Sequence, residues 1–392
     1  MKQIENIFRT LFTSFLGLLI GLATPAYAQD GIDYEQVDIS LITCTPHEEV
    51  YSLYGHSAIR YHDRRTGLDA VFNYGVFNYA KPHFVLRFMF GLTDYELGIA
   101  PARGFCRYYD AWGSEVSEQV LNLTTDEKRR IKEALEKNAL PQNRVYRYNF
   151  FYDNCATRPR DIIEQNVNGR IVYKERPDYT PSYREMIHKL TGDHRWAAFG
   201  NDLLLGFKAD QPTTQRQQHF LPHNLAYDFG HATIVSDSCS RPLVLTKRVL
   251  VPAKQQEPMA GFPLSPKLTF ILFLMVPCFI VCIWEIRHKR LTRTYDVVLM
   301  LLTGLAGVIL TAMFFSQHPA TSSNLQVLIL NPLSLLYIYK VARGRRTPWF
   351  KICGACMVLC MIGSFFQDYA EGMEIVAFCL LFRCLVHIRH DK

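Results

Sequence analysis

Five apolar runs, near residues 268–285, 295–315, 325–341, 350–366 and 372–386, fill the last third of the chain and leave it little choice of fold. A hydrocarbon core of about 30 Å takes about 17–25 helical residues to cross, so the runs have the length of membrane spans, the last one marginally. The loops set the orientation. Arg287, Lys289, Arg290 and Arg293 follow the first run, Lys340, Arg343, Arg345, Arg346 and Lys351 the third, and Arg389 and Lys392 the fifth. Residues 316–323 and 367–371 contain no Lys or Arg. Basic loops on alternate sides of five spans obey the positive-inside rule, with the C-terminus cytoplasmic and everything before the first span outside. These eleven basic residues face only Asp296 and Asp391, so the net charge of +7 reflects membrane topology, not a nucleic-acid surface.

The other end supplies the export signal. Lys2 and Arg9 precede an apolar stretch from Leu11 to Leu22, and Ala26-Tyr27-Ala28 predicts cleavage before Gln29. The expected organisation is a signal peptide at 1–28, an exported domain at 29–252, a linker with three prolines at 253–267, and an all-α membrane domain of about five transmembrane helices at 268–392. The expected location is the cytoplasmic (inner) membrane, multi-pass, with the N-terminal domain in the periplasm. Seven of the eleven cysteines lie in the apolar runs, where a thiol is a small apolar group; this reading extends to Cys353 and Cys356 despite their C-x-x-C spacing. The exported domain holds Cys44, Cys106, Cys155 and Cys239. With Cys155 kept as a thiol, at most one disulfide forms among the other three, and the spacing does not choose the pair.

Within that domain, residues 36–45 alternate and are β-branched, predicting a strand. Residues 56–62 and 69–74 alternate again around Thr66-Gly67, predicting a hairpin whose first strand carries His56 and whose second carries Asn73. The aromatic, basic stretch 82–91 reads as a buried helix in preference to an amphipathic segment at the lipid interface. Residues 116–122 predict a strand, 124–138 a helix capped by Thr124 or Thr125, and 147–151 a strand running into Asp153-Asn154-Cys155. Pro159 fits only a first helical turn, so regular helix starts near Ala156–Thr157 and Cys155 faces its positive end. Further helices are expected at 183–190 and 197–205.

A thiol is a nucleophile as thiolate, and a nearby imidazole with a helix N-terminus lowers its pKa. Cys155 at a strand-to-helix turn and His56 after a glycine are therefore the expected nucleophile and base. The order, histidine strand before cysteine helix, is that of a circularly permuted papain, so the fold class expected is α+β, papain-like of the NlpC/P60 kind. Asn73 is the expected orienting group for His56, with a core amide as the plain alternative. Arg158 and Arg160 are expected to offer forked donors to a phosphodiester, or else to be surface charges. His47, His62 and His83 with His56 match no compact ligand spacing, so no metal and no cofactor is expected. His318, with Asn324 and Asn331, is either a channel lining or a helix-pairing group.

The runs SLYGHSAIRYHD, VFNYGVFNYAKPHFVLRFMFG, SEQVLNLTTDEK, YRYNFFYDNCATRPRDII and GNDLLLG resemble the Lnb N-terminal periplasmic domain. Ser316-Gln317-His318-Pro319 and Asn324 through Asn331-Pro332-Leu333 resemble that family's C-terminal membrane domain. One departure is Pro46-His47, where relatives often have Pro-Gly. The resemblance implies a bacterial lipoprotein N-acyltransferase. Such an enzyme takes a fatty acyl chain from a membrane phospholipid onto Cys155, with His56 as base, and passes it to the N-terminal amine of a diacylated lipoprotein. Tyr54, Asn154, Arg158, Arg160 and His318 are the substrate-binding residues expected beside that dyad. The partners implied are the phospholipid donor, the lipoprotein acceptor and the membrane, with no nucleic acid. Two other classes stay open on the residues alone: a peptidoglycan amidase or endopeptidase of the NlpC/P60 kind, and a non-catalytic envelope lipid-binding module.

Overall fold

The computed structural model describes residues 31–390, except 48, 50–51, 78–81, 84–85, 88–89, 238 and 256–260. The expected signal peptide lies outside the described residues. The exported part is an α+β domain built on one antiparallel sheet, and the C-terminal part is helical. Seven strands form the main sheet in the order β10-β5-β1-β2-β3-β4-β6. They are β1 (Val37–Cys44), β2 (His56–Asp63), β3 (Leu68–Val76), β4 (Asp94–Pro101), β5 (Val116–Leu121), β6 (Val145–Arg147) and β10 (Val244–Val251). Three short strands, β7 (Arg170–Val172), β8 (Thr233–Val235) and β9 (Ser240–Pro242), make a second sheet.

Strand alternation sorts the central sheet into two faces. Ile39, Leu41, Ile59 and Tyr61 pack on one side against Ile131 and Leu135 of helix α2 and Ile162 and Ile163 of helix α3. Ile42, Cys44, Ala58 and Val71 pack on the other against Phe105 and Tyr109 of helix α1. Here α1 is Ala102–Ala111, α2 is Thr125–Ala139 and α3 is Thr157–Asn166. Local chemistry starts each piece. Gly67, at φ +76°, turns the β2–β3 hairpin, and Asp63 Oδ1 accepts from the backbone N–H groups of Arg65 and Thr66. Thr124 and Glu127 form a reciprocal capping box at the start of α2. Glu127 is fully buried and compensated by Arg241 and the Asn168 N–H.

The expected strand at 147–151 is shorter and earlier than predicted. Pairing with β4 ends at Arg147, and Asn149 instead bridges to Asp153, closing a tight turn just ahead of Cys155. The buried helix expected at 82–91 is also corrected. Leu86 and Phe90 are exposed, and Phe90 ends against a membrane-domain loop instead of entering the core.

Helices α4 (Tyr183–Thr191), α5 (Arg195–Leu204) and α6 (Pro222–Phe229) complete the exported domain. Apolar helix then runs from Pro266 to His288 (α7), beginning inside the expected linker, and from Arg293 to Phe314 (α8); both are long and apolar enough to cross a bilayer. A π-turn at Ile271–Met275 accommodates Pro277, which has no N–H to give. The third expected span is not one helix. A 3-10 turn at Leu325–Leu328 and helix α9 (Ser334–Ala342) flank Asn331-Pro332, where proline interrupts the ladder. Helices α10 (Trp349–Gly363) and α11 (Met373–His390) follow. At one end of this bundle Arg383 is fully buried between Glu285 and Asp296, and His387 also reaches Asp296.

The two parts are docked, not merely tethered. Asn324 Nδ2 donates to Leu203 O, Gln326 Nε2 to Asp202 O and Gln367 Nε2 to Leu205 O, while Gly206 N donates to Ala320 O. Phe199, Leu203 and Leu204 pack against the membrane-domain core. This assigns Asn324 to domain docking, and Asn331, whose Nδ2 lies 3.6 Å from Cys356 Sγ, to pairing within the bundle.

Candidate active site

The site forms where β2, β3 and the start of α3 meet. Gly55, at φ +73°, turns the chain into β2 so tightly that a Cβ there would stand 2.8 Å from the Cys44 carbonyl oxygen. His56 is therefore the first residue of β2, opposite Cys44 in register. Its ring packs against Tyr109 and Phe105 of α1, with centroids at 6.2 and 6.4 Å. Asn73 lies on β3, on the same sheet face as Val71 and Ala58, and its Oδ1 is 2.6 Å from His56 Nε2. Nδ1 is then the ring nitrogen left for the thiol.

Cys155 comes from the turn before α3. The Asn149–Asp153 bridge sets the turn, and Asn154 Oδ1 accepts from the N–H groups of Ala156 and Thr157 at 2.9 Å each. That carboxamide does the capping that Ala156, at the N-cap position, cannot. Pro159 falls in the first turn, where no carbonyl awaits its missing N–H. Gly75 completes the wall. It sits at a β-bulge with φ +100°, and its Cβ, if present, would lie 3.7 Å from Cys155 Cβ.

The electrostatics favour the charged form of each partner. Burial pushes the Cys155 thiol up, but the His56 charge, its hydrogen bond and the backbone N–H groups of Ser57 and Cys155 outweigh it, leaving the pKa below the ordinary thiol value. Burial pushes the His56 imidazolium down, but the Cys155 charge and the hydrogen bonds to Cys155 and Asn73 hold its pKa above the ordinary imidazole value. A half-buried thiolate facing an oriented imidazolium can attack a carbonyl carbon and return a proton to a leaving group. The backbone N–H groups of Ser57 and Cys155 are engaged with the sulfur itself, where they favour the thiolate.

The structure thus brings His56, Asn73 and Cys155 together and gives the other expected residues different work. Asn154 is buried with its amide nitrogen donating to Phe150 O and Phe220 O, so it shapes the turn and has no group left for a substrate. Arg158 forks onto Asp153 at 2.6 and 2.8 Å and lies over the Tyr146 ring. Arg160 is buried, bound to Asp161 and to Arg216 O. Both guanidiniums thus have carboxylate partners that brace the turn and the start of α3. The Tyr54 hydroxyl, its pKa pushed up to about 12 chiefly by burial, accepts from Asn201 Nδ2 at 2.6 Å. That bond ties the residue before Gly55-His56 to the segment docked on the membrane domain. His318 lies half-buried in the loop after α8, its carbonyl accepting from Thr321.

Sequence reasoning missed Tyr109, Phe105, Asn201 and the Ser57 N–H. Only Ser57 had a local signal, its adjacency to His56. Among the described residues no three His, Cys, Asp or Glu side chains group as metal ligands would.

Fold and site together define a membrane protein whose periplasmic α+β domain carries a cysteine–histidine centre, docked on a helical membrane domain. Two family models match it: the Lnb N-terminal periplasmic domain over residues 23–189 and the Lnb transmembrane domain over residues 256–392. The chain belongs to the Lnb family, whose domains fit an enzymatic, membrane-associated role in lipoprotein processing. No curated protein and no solved structure matches.

Proposed function

We propose that this chain is a lipoprotein N-acyltransferase of the cytoplasmic membrane, working through an acyl-thioester on Cys155. The observation that carries the reading is the alignment of Cys155, His56 and Asn73 at the end of β2, with the thiol pKa lowered and the imidazolium raised. The histidine-strand-first order also suits a permuted papain-like fold. In the first half-reaction the Cys155 thiolate attacks an ester carbonyl of a phospholipid, and the Ser57 and Cys155 N–H groups, freed from the sulfur as it loses its charge, turn to the oxyanion. Collapse breaks the ester C–O bond, and the His56 imidazolium gives its proton to the departing lyso-phospholipid oxygen. In the second, the N-terminal amine of a diacylated lipoprotein attacks the thioester carbon, neutral His56 takes a proton from that amine, and the thiolate leaves. An acyl donor confined to the bilayer accounts for a catalytic domain bound to membrane helices by a buried polar interface.

The test is intact-mass analysis of the detergent-solubilised protein after incubation with phospholipid and no acceptor. A fatty-acyl increment that neutral hydroxylamine removes, and that Cys155→Ser lacks, is the expected result. Absence of both adduct and lyso-phospholipid from the unaltered protein refutes the transferase, and cleavage of peptidoglycan by the same preparation would then identify an amidase.

A further inference from the structure

The segment from Leu86 to Asp94 belongs to the periplasmic domain by sequence but touches the membrane domain in space. Gln317, in the loop after α8, donates its backbone N–H to Phe90 O at 3.0 Å, and Gly91 lies against the same residue. Arg147 of β6 reaches Gln317 Oε1 at 2.8 Å. The segment therefore sits at the level where α8 leaves the bilayer. Exposed aromatics mark that level around the bundle: Phe315 just after α8, Phe365 and Phe366 after α10, and Phe262 ahead of α7. All four are phenylalanines, wholly apolar side chains whose exposure beside the helix ends fits contact with the apolar side of that boundary.

At that height Leu86, Phe90 and Leu92 present apolar side chains to the outside. Leu86 is 53 % exposed, with Phe90 at 36 % and Leu92 at 37 %. Beside them Arg87 and Arg147 share one carboxylate, Asp94, at 2.7 and 2.9 Å, and each side chain remains about two-fifths exposed, at 41 % and 42 %. Two guanidiniums on one carboxylate leave a net positive charge on a part-exposed surface, which attracts a phosphodiester. Exposed apolar groups beside arginines are a combination that a phospholipid leaflet, with acyl chains next to phosphates, can accept. Exposed leucine and phenylalanine with no such neighbour would be a plain solubility cost.

We propose that Leu86, Phe90 and Leu92 are seated in the outer leaflet of the membrane crossed by α7 and α8, with Arg87 and Arg147 on the phosphates of its phospholipids. Because β6 runs directly from Arg147 into the turn that carries Cys155, a phospholipid held there has its headgroup next to the elements that position the thiolate. In that bearing on catalysis the inference rests on the acyl-transfer reading; as a statement of where the surface lies it does not.

The test places an environment-sensitive fluorescent amino acid at Leu86, Phe90 or Leu92, and at the exposed hairpin residue Leu68 as reference, in the full chain. Each variant is reconstituted in phosphatidylethanolamine–phosphatidylglycerol vesicles with brominated or ordinary acyl chains. Bromine should quench the first three positions at least twofold and leave Leu68 unchanged. Equal quenching at all four, or none at 86, 90 and 92, overturns the proposal. Arg87→Gln combined with Arg147→Gln should reduce the quenching at position 86 at least by half, and unchanged quenching refutes the phosphate contact. Variants with unaltered thermal melting are compared, and the three positions are independent reporters of one surface. The Cys155 adduct is scored separately: adduct without quenching removes this inference alone, and quenching without adduct removes the transferase alone.

Discussion

Replacing Asn73 by alanine isolates what holds the histidine in place. Its Oδ1 lies 2.6 Å from His56 Nε2 and is one of the groups that raise the imidazolium pKa. A hydrogen bond to a charged group is worth about 1.5–3 kcal/mol. If the bond is fully made in the transition state for thiolate attack, its loss slows acylation by about tenfold to a hundredfold. The pH profile adds a signature that a packing defect would not give. The reactive ion pair exists between the lowered pKa of Cys155 and the raised pKa of His56, so acylation falls below the first and above the second. Removing a group that raises the His56 pKa moves only the alkaline limb, and it moves it down. The assay is single-turnover formation of the Cys155 adduct between pH 5 and 10, with melting temperature measured alongside. A rate within twofold of the unaltered protein, or an alkaline limb that stays in place, would refute the assignment of Asn73 as the orienting group.

Other substitutions probe the backbone and the bundle. Gly55→Ala should lower stability by about 1–3 kcal/mol or more, because it forces a side chain into left-handed φ and against the Cys44 carbonyl; chemical denaturation reads the loss. Gly75→Ala, also at positive φ but with its new Cβ only in ordinary contact, should cost less stability while slowing adduct formation through displacement of Cys155. Tyr54→Phe removes one hydrogen bond to Asn201 and should cost about 0.5–1.5 kcal/mol, visible as a lower melting temperature in detergent. Arg383→Met leaves Glu285 and Asp296 buried without their counter-charge and should destabilise the membrane domain by about 3–5 kcal/mol, a loss that a melt in detergent would show.

Legibility tracked the range of the forces involved. The β2–β3 hairpin, the β1 strand and the start of α2 were readable because alternation, Thr66-Gly67 and a threonine ahead of an acidic first turn act within a few residues. The Cys155 turn was half readable: Pro159 fixed where the helix begins, but the aromatic stretch 147–151 looked like one strand and is divided by the bridge at Asn149. Asn331-Pro332 stood in plain view, yet the apolar count on either side outweighed it and predicted an unbroken third helix. Arg383 was invisible as a partner because Asp296 and Glu285 lie 87 and 98 residues away in the chain. The same distance hid Asn324, Gln326 and Gln367, whose acceptors at Leu203, Asp202 and Leu205 belong to a different domain by composition.

That interface bears on how the protein is made. The exported domain leaves the ribosome and crosses the membrane before the loops holding Asn324, Gln326 and Gln367 have been synthesised. Until they arrive, Phe199, Leu203 and Leu204 have no apolar bed, and Asn201 has no anchored backbone from which to hold Tyr54 beside the histidine strand. The tie between Tyr54 and Asn201, beside the histidine strand, is therefore secured last, when the C-terminal helices are in place.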